Sequence, residues 1–386
     1  MPSASPNPSE PPPAGAKRAR ARDLGLSLGR LRPGALNAIT DVTGVTVGHC
    51  TLRAESASGA AIRTGVTAIQ PTPDNVYERR VQAGSFVLNG AGELSGLTQI
   101  REWGLIETPI LLTGTLSVNA VADALTRRMI AENQALGITS DVVIPVVGEC
   151  DDSWLHDARG CHVSAEHVQQ ALNSCSSGPV QEGNVGAGTG MMTCDFAGGI
   201  GTASRLVPYP EQIFTLGALV LSNFGSREEL TMAGLPIGQL LAGYQGQQAR
   251  REVYGSIVVV LATDAPLLHS QLDRLCKRAA LGIARTGGSA AHGSGEIVLG
   301  FSTQNRLPRG RHGSLQSLSC LYDTELNAMF QAAVEVTEEA ILNALCMAED
   351  MAGLSDRQSL ALPLELVRAH AQRYAVDFSR LAPTLR

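Results

Sequence analysis

A glycine–serine pair stands directly in front of a long apolar run. Gly255-Ser256 is followed by residues 257–262, IVVVLA, which read as a buried strand. If the chain is cut between Gly255 and Ser256, the new N-terminal serine carries both a hydroxyl and an α-amine. An α-amine has a pKa of roughly 7.7–8.0, so near neutral pH it can act as the base for its own hydroxyl. The pair predicts a precursor that cleaves itself and becomes a hydrolase.

Glycine at position 255 suits the cleavage step. Because it has no Cβ, its backbone can adopt strained geometry at low steric cost. We expect such strain to expose the Gly255 carbonyl to the Ser256 hydroxyl, so that an N→O acyl shift and ester hydrolysis free the amine. Most Gly-Ser pairs are turns, so this prediction depends on its surroundings.

Further polar residues lie at the ends of two other strand-like segments. Ser294 and Glu296 open the segment 297–301, and alternate strand residues share a face, so we expect both side chains on one face. There Glu296 would hold the new amine and Ser294 would relay its proton; the alternative is a turn cap. Asn223 ends an apolar run, where its amide can donate to an oxyanion or simply stabilise a turn.

Composition limits the function. Of 386 residues, 44% are hydrophobic and 17% charged, which predicts a large globular core. The net charge of -6 argues against general nucleic-acid binding. The apolar runs are too short to cross a bilayer, and the N-terminal residues lack a secretory signal, so we expect a cytoplasmic protein. The cysteines are too scattered for a disulfide framework: Cys50, Cys150, Cys161, Cys175, Cys194, Cys276, Cys320 and Cys346.

The periodicity predicts a layered α/β sandwich whose strand order the sequence does not give. Residues 1–21 form a Pro-rich and basic segment that we expect to be a disordered tail, with Lys17, Arg18, Arg20 and Arg22 solvated. Predicted strands cover 38–42, 45–49, 66–69, 85–88, 141–147, 214–221, 256–262 and 296–302. Predicted helices cover 117–136, 163–173, 270–285, 324–350 and 363–374.

Two other segments have the composition of ligand sites but not their spacing. The glycine-rich segment 182–191 lacks the Lys-Ser/Thr of a phosphate loop and the flanking strand and helix of a dinucleotide site, which favours tight backbone packing. Cys161, His162 and His167 lie close together but fit no common zinc spacing. We predict no metal and no cofactor.

Several segments together resemble the self-processing aminopeptidases that include L-aminopeptidase/D-esterases and β-peptidyl aminopeptidases. The likeness runs from about residue 22 to near the C-terminus. It is carried by residues 22–25 (RDLG), 37–42 (NAITDV), 64–69 (TGVTAI), 89–93 (NGAGE), 182–191, 199–205 (GIGTASR) and 255–266.

This resemblance implies an αββα sandwich like that of N-terminal-nucleophile hydrolases, with different connectivity. It implies a single domain matured into a large chain, 22–255 after the tail, and a small chain, 256–386, with four such units in a homotetramer. It also implies the residue roles: Ser256 as nucleophile, Asn223 as oxyanion donor, Ser294 and Glu296 completing the catalytic group, and Glu149 receiving the substrate amine.

Asp151 departs from the family pattern, because D-esterases have an oxyanion-assisting Tyr there and an ionised carboxylate cannot donate. Either another donor replaces the Tyr or substrate preference differs. Gly255 favours the L-aminopeptidase/D-esterase branch. The predicted function is release of N-terminal residues from short peptides, amides or esters. Alternatives are a β- or ω-amino amide hydrolase and, in another class, a non-catalytic metabolite-binding protein.

Overall fold

The structure is a computed structural model, and it describes residues 17–242, 244, 254–310 and 313–381. The described strands are β1 Thr46–Glu55, β2 Ala61–Gln70, β3 Arg79–Gly90, β4 Leu105–Ile106, β5 Ile110–Gly114, β6 Val146–Cys150, β7 Met192–Thr193, β8 Phe196–Ala197, β9 Gly199–Pro208, β10 Ile213–Asn223, β11 Tyr254–Thr263, β12 Gly293–Pro308, β13 Met351–Ala352 and β14 Gln358–Ser359. The described helices are α1 Leu97–Trp103, α2 Val118–Glu132, α3 Ala165–Asn173, α4 Ile237–Leu240, α5 His269–Arg285, α6 Asn327–Met347 and α7 Leu364–Leu381.

Two sheets form the centre of the molecule. One has the strand order β1-β2-β5-β6, and the other has the order β4-β3-β12-β11-β10-β9. An apolar layer fills the space between them, α5 and α6 cover the outer face of the six-stranded sheet, and α2 and α3 cover the four-stranded sheet. The predicted αββα sandwich is confirmed.

Burial on both faces explains the sequence of the central strand β11. Ile257, Val259 and Leu261 pack against α5 and α6, whereas Val258 and Val260 face the other sheet. Because both faces of the strand are buried, it is apolar at every position instead of alternating with polar residues.

Two predicted strands are wrong in part. Residues 38–42 contain a 3-10 turn, Ile39–Asp41, because the Asp41 carboxylate accepts hydrogen bonds from the backbone of Leu36 (3.0 Å) and Ala38 (3.1 Å). The strand predicted from 141 begins only at Val146, after Pro145, which has no N–H to pair. Val142 is accordingly 64% exposed.

The basic cluster is not a solvated tail. Arg18 donates to the carbonyls of Leu362 and Leu345, and Arg22 pairs with Glu339 at 2.7 Å. Ala21 is fully buried. The packed part of the described chain therefore starts at Arg18, four residues before the predicted boundary; residues 1–16 lie outside the described residues.

The glycine-rich segment allows tight backbone packing, as predicted. A Cβ at Gly190 would lie 2.2 Å from the Arg63 carbonyl oxygen, and one at Gly199 would lie 2.2 Å from that of Gly183. Only glycine permits backbones to approach this closely.

Candidate active site

Ser256 lies near the start of β11, in the middle of the six-stranded sheet. It is opposite Asn223 in the antiparallel pairing with β10 and opposite Gly295 in the parallel pairing with β12. The residue is 5% exposed. The peptide bond between Gly255 and Ser256 is therefore held from both sides by sheet hydrogen bonding.

Gly255 serves close approach, not backbone strain. It is absent from the glycines with positive φ, so the strained conformation expected from the sequence is not found. A Cβ at this position would lie 2.1 Å from the Asn223 carbonyl oxygen. Glycine is needed here because the end of β10 occupies the space of a side chain.

The Ser256 side chain faces the layer between the sheets, since it shares its face with Val258. The Cys150 thiol, at the end of β6, lies beside the Ser256 hydroxyl and contacts the Leu221 carbonyl oxygen at 3.5 Å. Burial raises the pKa of Cys150 well above its usual value, so the thiol is neutral. The sequence analysis missed Cys150; its position directly after Glu149 was the available signal.

Ser294 and Glu296 form a hydrogen-bonded pair on one face of β12, as their spacing predicts. The Ser294 hydroxyl donates to Glu296 Oε1, while the buried Oε2 has no hydrogen-bond partner among the described residues. Burial raises the pKa of Glu296, and the Ser294 hydrogen bond lowers it in part. The pair is thus a protonatable acid with one unused oxygen.

The two sides of this peptide bond carry different chemistry. Ser294 and Glu296 share the face of Val298, which packs with α5 and α6, and they line a hollow with Phe224 and Glu229. The Ser256 hydroxyl is on the opposite face, toward Cys150. A hydroxyl and a protonatable Ser–Glu pair therefore flank the same segment of backbone.

The Asn223 amide has a fixed orientation. Its Oδ1 accepts from the Met192 N–H at 2.9 Å, and its Nδ2 donates to the Asp151 carbonyl at 2.9 Å. The donor end is consequently directed toward the turn that follows Glu149, on the same face of the sheet as the Ser256 side chain.

Asp151 presents its backbone, not its carboxylate, to Asn223. Its Oδ1 accepts from the Ser153 N–H at 2.9 Å, in a local turn. The repulsion of an oxyanion considered for this carboxylate is reduced by that orientation, because the negative charge is held by its own turn.

Glu149 is a buried carboxylate with neutral donors. Oε1 accepts from the Glu93 N–H at 2.8 Å, and Oε2 accepts from the Thr115 hydroxyl. It is 4% exposed, and burial raises its pKa. No arginine or lysine of the described ranges forms an ion pair with it. Thr115 had no sequence signal beyond its place after the strand end Gly114.

Asp152 is a second buried acid beside this group. Its Oδ2 accepts no hydrogen bond of acceptable geometry from the residues described, although the Thr64 hydroxyl lies beside the carboxyl. Burial raises the pKa of Asp152 to about 7. The sequence analysis did not single out this residue.

The histidines near Cys161 have structural partners. His162 contacts Asp157 at 3.2 Å, and His167 accepts from the Ser164 N–H at 3.0 Å at the start of α3. Within the described residues, no group of His, Cys, Asp and Glu is arranged to hold a metal ion. None of the helices described there is long and apolar enough to cross a membrane.

Comparisons with known proteins agree with this geometry. The model of peptidase family S58 matches residues 37–359. The β-peptidyl aminopeptidase BapA of Sphingosinicella microcystinivorans is 40% identical over 384 residues, 94% of each chain.

Two solved structures match over 92% of this chain and 99% of theirs. The β-aminopeptidase of a Burkholderia species has a TM-score of 0.85 and 44% identity. The L-aminopeptidase D-Ala-esterase/amidase of Ochrobactrum anthropi, a variant of the Ntn-hydrolase fold, has a TM-score of 0.86 and 40% identity. The chain therefore belongs to peptidase family S58 and is a serine-type aminopeptidase with the N-terminal-nucleophile hydrolase fold.

Proposed function

We propose that this aminopeptidase matures by cutting its own chain between Gly255 and Ser256, and that Ser256 is then the nucleophile. Ser294 and Glu296 act as the acid–base pair, Asn223 donates to the oxyanion, and Glu149 binds the substrate's amine. The observation that carries the proposal is the position of the 255–256 bond, with a hydroxyl on one face of the sheet and a protonatable pair on the other.

Maturation proceeds in two steps, an acyl shift and then hydrolysis of the resulting ester. The Ser256 oxygen bonds to the Gly255 carbonyl carbon, the C–N bond to Ser256 breaks, and the leaving nitrogen takes a proton from the Ser294–Glu296 pair. Because the Ser256 hydroxyl lies on the opposite face of the sheet from that pair, its proton passes to water, and water restores the proton of the pair. Water then cleaves the ester, which leaves a Gly255 carboxylate and a free Ser256 amine. The raised pKa of Glu296 supports its role as proton donor.

In turnover the freed α-amine of Ser256 acts as the base. It takes the Ser256 proton while the oxygen attacks the substrate carbonyl, and an acyl-enzyme forms as the amine product leaves. The Asn223 amide donates to the oxyanion, and water releases the acyl group. Glu149 pairs with the substrate's ammonium, which restricts cleavage to the first residue.

The test is the intact mass of purified protein under denaturing conditions. Wild type should give two chains that divide between residues 255 and 256, and Ser256→Ala should give one uncut chain with no hydrolysis of amino-acid p-nitroanilides. Ser302 lies farther along β12, and its buried hydroxyl donates to the Ala265 carbonyl. The Ser302→Ala chain lacks this hydroxyl and should mature normally. Cleavage of the Ser256→Ala chain at the wild-type rate would refute the mechanism.

β-Amino acyl substrates are the second candidate. They are favoured by the 40% and 44% identity to proteins named β-peptidyl aminopeptidase and β-aminopeptidase. The L-aminopeptidase D-Ala-esterase/amidase at 40% favours α-amino substrates instead. Initial rates on the p-nitroanilides of L-Ala, D-Ala and β-Ala decide between them.

A homotetramer of cut units in the cytoplasm is the remaining part of the proposal. Apolar side chains that are exposed in the single chain, Ile138, Val142 and Ile144, support burial by other copies. The scattered positions of the eight cysteines support a reducing compartment. Light scattering on the eluting peak should give the mass of four 40.5-kDa chains.

A further inference from the structure

We infer that residues 89–93 form a positioning bridge between the Ser294–Glu296 pair and Glu149, and that Asn89 is its principal positioning residue. This inference rests on the proposed function, because it concerns the same two acidic groups. None of these five residues is assigned a catalytic role above.

One end of the bridge holds the loop that carries Ser294. Asn89 Nδ2 donates to the carbonyls of Ala291 at 2.8 Å and Ser294 at 2.6 Å. These bonds fix the backbone on both sides of His292, so they determine where the Ser294 hydroxyl points.

A bulge in β3 places Asn89 at this position. Glu296 is opposite Asn89, whereas the next residue, Ile297, is opposite Val87, so Leu88 is skipped in the pairing. Such a bulge redirects the side chains next to it. Leu88 is 45% exposed, and Asn89 turns to the 291–294 loop.

The other end of the bridge holds Glu149. The Glu93 N–H donates to Glu149 Oε1 at 2.8 Å, and a Cβ on Gly92 would lie 3.1 Å from the same oxygen. In between, a Cβ on Gly295 would lie 2.7 Å from the Ala91 carbonyl oxygen. Glycines at 92 and 295 allow the bridge to lie directly against β12.

The bridge thus sets the separation between the amine site and the acid–base pair. A substrate held by its ammonium must place its carbonyl at the nucleophile, and a displacement of about 1 Å can cost on the order of 100-fold in rate. Removing the Asn89 amide frees the 291–294 backbone without removing any group that reacts.

Asn89→Ala is the test, with Asn305→Ala as its matched control. Asn305 is on β12, the strand of Ser294 and Glu296, and its amide donates to the Ser319 carbonyl at 2.7 Å. None of the hydrogen bonds described for the Asn305 side chain involves a group of the candidate site. Asn89→Ala should slow both maturation and kcat by about 10- to 100-fold with little change in KM. Asn305→Ala should leave both rates near wild type.

The pH profile separates positioning from mere stability. The Ser294 hydrogen bond lowers the pKa of Glu296, so a misplaced Ser294 should raise it and move the corresponding limb of the rate profile to higher pH. The titratable groups around Glu296 in the described structure are Glu229 across the hollow, His292 in the loop, and the Ser256 amine once it is free. They are unchanged in Asn89→Ala.

The outcomes are distinct. Wild-type rates and pH profile in folded Asn89→Ala, while Glu296→Gln is impaired, would overturn the inference and keep the proposed function. Normal maturation and turnover in Glu296→Gln would refute the proposed function itself. If Asn89→Ala does not fold, Gly295→Ala tests the bridge from the β12 side, and an unshifted pH limb there overturns the inference.

Discussion

Two sets of buried carboxylates in this molecule differ in their hydrogen-bond and ion-pair partners. On α6, Glu335 and Glu339 face the fully buried guanidinium of Arg205 at 2.8 and 2.7 Å. At the candidate site, Glu149 and Glu296 meet hydroxyl and N–H donors, and no arginine or lysine of the described chain pairs with either.

The pKa values differ accordingly. Burial acts to raise the pKa of Glu339, but the Arg22 hydrogen bond and the Arg205 charge outweigh it and lower the pKa. For Glu149 and Glu296, burial prevails and raises the pKa. A buried acid whose cation is built into the fold is structural. One that lacks a cation is suited to bind the ammonium of a substrate or of a new chain end.

Loss of the built-in cation should have the largest effect. Arg205→Met leaves Glu335 and Glu339 without their buried partner, which should destabilise the fold by about 3–5 kcal/mol. Arg127→Met, which breaks an exposed pair with Asp123 on α2, should leave the unfolding midpoint near that of wild type. Urea midpoints measure both, and equal midpoints would contradict the assignment of the Arg205 network as structural.

A change at Glu149, the buried acid without a cationic partner, should affect turnover and not stability. Glu149→Gln keeps the shape but not the charge, so kcat/KM on substrates with a free amine should fall by about 10- to 100-fold, the value of a hydrogen bond to a charged group. Glu149 binds ammonium only when ionised, so wild-type activity should decline as the pH falls through its raised pKa.

The part of the acid limb that Glu149 contributes should be absent in Glu149→Gln, whereas the part due to protonation of the Ser256 amine, the proposed base, should remain. An unchanged kcat/KM would remove Glu149 from amine binding. Unfolding midpoints of the two proteins should agree closely, in contrast to Arg205→Met.

The effect expected at Asp152 depends on pH and vanishes toward the acid end of the range. Its folded pKa of about 7 exceeds the unfolded value of about 3.9, so the folded chain holds an extra proton between these values. The free energy of unfolding therefore falls as pH rises through this window, and the loss is complete above about pH 7. Asp152→Asn cannot ionise, so between pH 5 and 8 it should gain about 1–3 kcal/mol relative to wild type.

Urea midpoints at pH 5, 6, 7 and 8 test this difference. Asp123→Asn, at an exposed position, should follow wild type across the series. A constant difference between Asp152→Asn and wild type would show that the Asp152 carboxyl does not change its protonation in this range.

Strand periodicity was enough to predict the strand that begins beside Ser256 and the shared face of Ser294 and Glu296. Both predictions depend on alternation within one strand, which is a local property that the sequence carries directly. The same reasoning failed at residues 38–42, where the Asp41 side chain competes for the backbone N–H groups, and at 141–145, where Pro145 delays pairing.

Contacts between distant segments could not be predicted this way. Cys150 reaches Ser256 only because β6 and β11 belong to facing sheets, and Asn89 reaches Ser294 through a bulge in β3. The partial burial of Arg18 and Arg22 likewise depends on α6 and on Leu362, more than 300 residues away. These arginines were predicted to belong to a disordered tail because composition contains no information about such partners.

The Arg205 network also joins the two sides of the proposed cut. Arg22 and Arg205 precede residue 255, whereas Glu335 and Glu339 follow it, and β11 remains between β10 and β12. Before the cut, an unfolded chain can refold by itself. Afterwards the two pieces must meet again, so recovery from heat or urea becomes a second-order process that slows with dilution. Maturation would therefore leave the native contacts in place and make their loss practically irreversible.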